Sequence, residues 1–173
     1  MSWERELGCR PAGSHSAATR SARFFYDTRS VVLSSAVTPL DAWNVVSSEP
    51  RPLMASAFRV RDAIAARFGV KAIGGFSGER RPHVREGDTL DFFLVEHSAP
   101  DMLVLTERDR HLDVMICLAT SGHRLTITSS VVVHNAFGRA YMVPVASIHR
   151  LILAADLRRL RTSSWQEASR SGP

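Results

Sequence analysis

The sequence predicts an α+β domain: a curved antiparallel sheet of about six strands wrapped on a long C-terminal helix, with two short helices after the first strand. Three observations carry this expectation. Apolar residues alternate with period two in successive runs between Asp88 and His134, recur with helical spacing between Thr38 and Gly69, and form a second helical stripe from Ala136 to Arg161.

The first strand runs from Phe24 to Ser35 on Phe24, Tyr26, Val31, Val32 and Leu33, with a break near Asp27. Thr38 then offers an N-cap hydroxyl, Pro39 sits at the first helical position and Asp41 three residues past the cap, which starts a short helix through Leu40, Trp43 and Val46. Leu53, Ala57, Val60, Ile64 and Phe68 are at helical spacing before Gly69, giving the second helix. Lys71 to Phe76 is a short strand, and the glycines 74, 75 and 78 form a turn. They lack the Gly-x-Gly-x-x-Gly spacing of a dinucleotide loop.

Four strands follow as a meander, at Asp88 to His97, Met102 to Glu107, His111 to Ala119 and Arg124 to His134. In the third, Leu112, Val114, Ile116 and Leu118 share one face, and Asp113, Met115 and Cys117 the other. The closing helix has its stripe at Tyr141, Val145, Ile148, Ile152 and Ala155, with a kink at Pro144, which cannot donate to its helical partner. Residues 1–22 and 162–173 lack periodicity and read as disordered tails, leaving one domain over residues 23–161.

Composition excludes several classes of function. With 45% hydrophobic and 8% aromatic residues in 173, the chain has enough apolar side chains for a core. The net charge of +5 sits in the two ends, since residues 24–149 hold equal numbers of basic and acidic side chains. That distribution suits solubility and the C-terminal pole of the last helix rather than a nucleic-acid face. No apolar run approaches the roughly 20 residues of a spanning helix, and the start, with Glu4, Arg5 and Glu6, does not read as a secretory signal. Cys9 and Cys117 are the only cysteines and stand alone, so neither a disulfide framework nor a zinc cluster is indicated, and a reducing, cytoplasmic setting is expected. The seven histidines show no metal-ligand spacing, and no cofactor is called for.

The element order is that of the helix-grip architecture, in which a sheet curves around the final helix; a flat two-layer packing uses the same elements. Motifs along the chain point the same way. Arg61-Asp62, Arg67-Phe68-Gly69-Val70-Lys71, Asp109-Arg110-His111-Leu112-Asp113, His134-Asn135-x-x-Gly138-Arg139-x-Tyr141 and His149-Arg150-Leu151-Ile152 stand in one order between Tyr26 and Arg159. In this the chain resembles the bacterial family called domain of unknown function 2867. The resemblance implies a helix-grip protein related to the START and polyketide-cyclase group, in some cases carried behind a nucleotide-sugar-epimerase-like domain. It transfers no established activity. One departure concerns the last helix: the family often places proline two residues before the helix histidine, whereas this chain has Ser147 there and its proline at 144.

Six residues are candidates for a binding site: His111, Asp113, His134, Arg139, Tyr141 and His149. His111 and Asp113 lie two apart on a strand, hence on one face, and can act as an acid/base pair; equally, Asp109, Arg110, His111 and Asp113 can hold the register of their hairpin. His134, Arg139 and Tyr141 can line a cavity mouth for a polar or anionic head group. Against that, Asn135 is placed to cap a helix and Gly138 to let backbone approach the sheet. His149 borders the apolar stripe and is either a satisfied core group or a polar fixture of a pocket.

The expected function is retention of a small apolar or amphipathic ligand between sheet and last helix. Acid/base catalysis of cyclase or dehydratase type in the same cavity is the enzyme alternative. A filled module that binds another protein, such as an epimerase-like domain, is the third.

Overall fold

The computed structural model describes residues 23–48 and 77–139, with 142, 158 and 160. In chain order it contains β1 (Arg23–Val32), α1 (Pro39–Ser47), β2 (Thr89–Leu90), β3 (Phe93–Ala99), β4 (Met102–Arg108), β5 (Leu112–Ser121) and β6 (Arg124–Val133). The strands form one open sheet in the order β1-β6-β5-β4-β3-β2, antiparallel throughout.

The meander follows from short turns. Between β5 and β6 only Gly122 and His123 intervene, and Gly122 has φ +57°, the left-handed conformation that a two-residue hairpin requires at its first central position. The expected strand from Asp88 to His97 is instead folded back on itself. Asp91 adopts φ 57°, so Thr89–Leu90 pairs against Phe93 and Leu94, and the Asp91 carboxylate accepts a hydrogen bond from the Ser77 amide at 2.7 Å. β1 is likewise continuous through Asp27, with its register shift nearer the start, between Arg23 and Phe25.

α1 forms as its opening residues dictate. Thr38 Oγ1 accepts from the Asp41 amide at 3.1 Å and Asp41 Oδ2 accepts from the Thr38 amide at 3.3 Å, a reciprocal cap with Pro39 at the first helical position. The helix buries Ala42 and Trp43, and Trp43 meets Phe93 edge to face with centroids 5.6 Å apart. Burial of each large apolar side chain here contributes roughly 1.5–3 kcal/mol. Asn44 secures the incoming segment, donating to the Arg81 carbonyl and accepting from the Arg81 amide.

The strand periodicity divides the sheet into two unequal faces. On the α1 face, Leu103, Leu105, Leu118, Leu125, Ile127 and Val31 pack with Trp43 and Leu160 into the main core. Farther along the same face, Phe25 and Val131 form a second cluster with Met142. The opposite face holds a smaller cluster of Val104, Met115 and Cys117.

Residues 136–139 begin a helix, and Met142, Arg158 and Leu160 are helical and described. The remainder of the expected closing helix, including Tyr141, Pro144 and His149, lies outside the described residues. So do the expected helix at 53–69, the strand at 71–76 and both tails. The sixth strand of the sheet is Thr89–Leu90. Among the described residues no helix is long and apolar enough to cross a membrane.

Cys117 requires a correction. It is disulfide-bonded, and among the described residues no cysteine is free, so the expectation that it stands alone as a reduced cysteine does not hold. The sequence expectation failed because cysteine spacing carries no information about pairing across a fold. With it goes the argument from reduced thiols for a reducing compartment.

Candidate functional site

The candidate residues near the end of β6 assemble into a latch. Asp109 Oδ1 accepts from the amides of His111 at 2.6 Å and Leu112 at 2.9 Å, which forms the turn into β5. The His111 carbonyl then accepts from the His134 amide at 2.8 Å. Asn135 reaches across: Nδ2 donates to the Arg110 carbonyl at 3.0 Å, and Oδ1 accepts from the Gly138 amide at 3.0 Å as the cap of the next helical turn. The His111 ring lies between neighbours, with Arg110 Nε donating to Nε2 at 3.0 Å and the Asn135 amide against Nδ1, Oδ1 at 3.2 Å. Asn135 Nδ2 lies closer still to His111 Nδ1, at 2.9 Å. Phe137 packs on the ring at a centroid distance of 4.7 Å.

Both ring nitrogens of His111 are therefore engaged by the chain. Asp113 is not its partner. Asp113 Oδ1 instead meets His134 Nε2 at 3.0 Å, an ion pair when the imidazole is protonated, with both side chains partly open to solvent. The pair lies on the Met115 and Cys117 face, opposite the main core, because Asp113 stands beside Val132 in register and His134 is two residues farther on. Arg139 is exposed. The structure thus brings His111 to the β6 joint and His134 to Asp113, and gathers none of these into the α1 face. Tyr141 and His149 lie outside the described residues.

A different polar group stands on the α1 face. Reading across the sheet, Leu105, Ile116, Ser129 and Asp27 form one row, and Leu103, Leu118, Ile127 and Arg29 the next. Asp27 and Arg29 are two apart on β1 and point the same way, so Arg29 Nε donates to Asp27 Oδ2 at 3.1 Å. Asp27 is flanked on its own strand by Phe25, and Arg29 by Val31, both buried. Ser129 is 2% exposed, and its hydroxyl has no hydrogen-bond partner among the described residues.

Exposure on this face is uneven. Val114 and Ile116 belong to β5, well inside the sheet, yet they remain only partly buried while Leu105, Leu118 and Val131 around them are closed off. Val114 and Ile116 pack against the main core, and Val114 also against the Phe25 cluster, while Ser129, Asp27 and Arg29 lie on the β6 and β1 side of the same face. Sequence reasoning missed all three. Asp27 was visible only as a break in a strand, and no local signal links it to a serine about a hundred residues away.

An open antiparallel sheet with one helix-packed apolar face, interrupted by a polar island, makes this an α+β protein of sheet-and-helix layers. The chain belongs to the family described as protein of unknown function, DUF2867, whose profile matches residues 20–155. Comparison with curated proteins and with solved structures finds no match.

Proposed function

We propose that the protein is a ligand-binding domain of helix-grip type, holding a small amphipathic molecule on the α1 face of the sheet, beneath the C-terminal helix. The observation that carries this reading is the partial exposure of Val114 and Ile116 well inside the sheet, between neighbours that are closed off. Apolar side chains at such a place are ordinarily closed off. Accessible ones match the apolar walls of small-molecule sites. Met142 and Leu160, each buried in a cluster on this face, support a helix lying across it.

The test is native mass spectrometry of the full chain, followed by denaturation, on the wild type and on Ile116→Trp, which covers this surface with a larger side chain. A stoichiometric small molecule released from the wild type and absent from a folded Ile116→Trp is the expected result. A bare mass in the wild type, with no thermal shift from amphipathic additives, would refute the reading and favour a filled module that binds another protein.

The acid/base alternative is favoured by one contact, the imidazole of His134 on Asp113, since a carboxylate that orients a histidine is a general-base arrangement. It moves that alternative from His111 to His134 and to the opposite face of the sheet. An activity unaffected by His134→Gln would remove it.

A further inference from the structure

We infer that residues 1–22 form a strap across the face of the sheet opposite α1, pinned there by a disulfide between Cys9 and Cys117. Cys117 is disulfide-bonded, and the chain has a single other cysteine, Cys9. Within one chain its partner is therefore Cys9. The bond places residue 9 over the middle of β5, since Cys117 stands between Val104 on β4 and Thr128 on β6.

Burial on that face requires a cover. Leu94, Thr106, Met115, Ser130 and Tyr26 form one row across the sheet from β3 to β1. The row is open at its ends, with Leu94 44% and Tyr26 49% exposed, and shut in the middle, where Thr106 is 2% exposed and Met115 and Ser130 are 0%. The next row, through Val104, Cys117 and Thr128, is closed in the same place. No described helix accounts for this, because α1, Met142 and Leu160 all pack on the opposite face. The sealed band is three strands wide, about 10 Å between its outer strands, which is the width of one segment of chain rather than of a folded partner.

The N-terminal segment has the reach and the composition to be that cover. Arg23 pairs with Val132, which stands beside Asp113, so Cys117 lies four residues along β5 and two strands across from it. That distance is roughly 17 Å. Fourteen positions lead from Cys9 to Arg23, and a chain of that length extends to about 46 Å. The link therefore closes with slack. Trp3 and Leu7 lie within six positions of Cys9 and supply apolar side chains to lay against Val104 and Met115. The covalent bond and this burial act together, because the bond holds the segment at a high local concentration against the face.

The experiment is peptide mapping by mass spectrometry of the full chain, equilibrated with oxidised glutathione so that two cysteine thiols become one disulfide and two reduced glutathiones are released. Trypsin digestion without reduction is expected to yield residues 6–20 joined to residues 111–124. Cys117 joined to the Cys117 of a second copy, or cysteines left free or capped by glutathione, overturns the strap. The cover is read separately, from the rate at which hydrogen peroxide converts Met115 to its sulfoxide. Cys9→Ser is expected to raise that rate roughly tenfold over the disulfide-bonded wild type, while Met142, on the opposite face, keeps its own rate. An unchanged Met115 rate, or equal acceleration at Met142, overturns the cover. Should Cys9→Ser fail to fold, Trp3→Ser combined with Leu7→Ser decides: it keeps the disulfide and removes the apolar side chains, so Met115 must oxidise faster than in the wild type. An unchanged rate in that variant refutes the cover.

Discussion

Gly138→Ala should destabilise the protein out of proportion to the methyl group added. A Cβ at position 138 would lie 2.5 Å from the His111 carbonyl oxygen, 2.9 Å from Val133 Cγ1 and 3.3 Å from the His111 carbonyl carbon. The closest of these is backbone, held in place by the His134 amide at 2.8 Å, so no side-chain rotation can relieve it. Either the helical turn lifts from the sheet or the β5 and β6 ends part. Overpacking of this kind costs about 1–3 kcal/mol, and loss of the His134 bond about 1 more. The gain in helix propensity from glycine to alanine returns about 1. The net expectation is about 1–3 kcal/mol, read as a fall in melting temperature of about 2–12 °C for a chain of this size. Urea denaturation of both proteins with a shared m-value supplies the measurement. A loss below about 0.5 kcal/mol would show that the close approach is not a constraint on the fold, and the latch built on it would have to be abandoned.

Three further outcomes follow from named contacts. Asn135→Ala removes the Gly138 cap and the bond to the Arg110 carbonyl, and should cost about 2 kcal/mol by urea denaturation; Asn135→Asp keeps a capping oxygen and should recover about half. Equal losses in the two variants would contradict the capping role. Thr38→Ala removes the hydroxyl that accepts from the Asp41 amide and keeps the backbone amide that donates to Asp41, with an expected loss of about 1 kcal/mol and 2–4 °C in a thermal melt. Ser129→Ala deletes a buried hydroxyl without a partner among the described residues, so the protein should be unchanged or more stable by up to about 1 kcal/mol; a clear loss in calorimetry would mean that the hydroxyl is satisfied after all.

What the sequence determined by itself were the features set by a few neighbouring residues. The alternation from Leu112 to Leu118 specified a strand and its two faces, because side chains on a strand repeat every second residue. Thr38, Pro39 and Asp41 announced a helix start, because the orphan amides of a first turn need acceptors within three residues. Asn135 as a cap and Gly138 as a point of close approach were legible for the same reason, the first from a side chain reaching its own turn, the second from an absent Cβ.

Tertiary structure decided the partners. Periodicity says that His111 and Asp113 share a parity but not what stands opposite, and the pairing of β5 with β6 gave Asp113 to His134 and His111 to Asn135. The same register carried Ser129 to Asp27 and Arg29, about a hundred residues away in the chain. Which polar groups meet depends on the pairing of whole strands, and that is chosen by burial of the entire apolar face rather than by any one residue upon it.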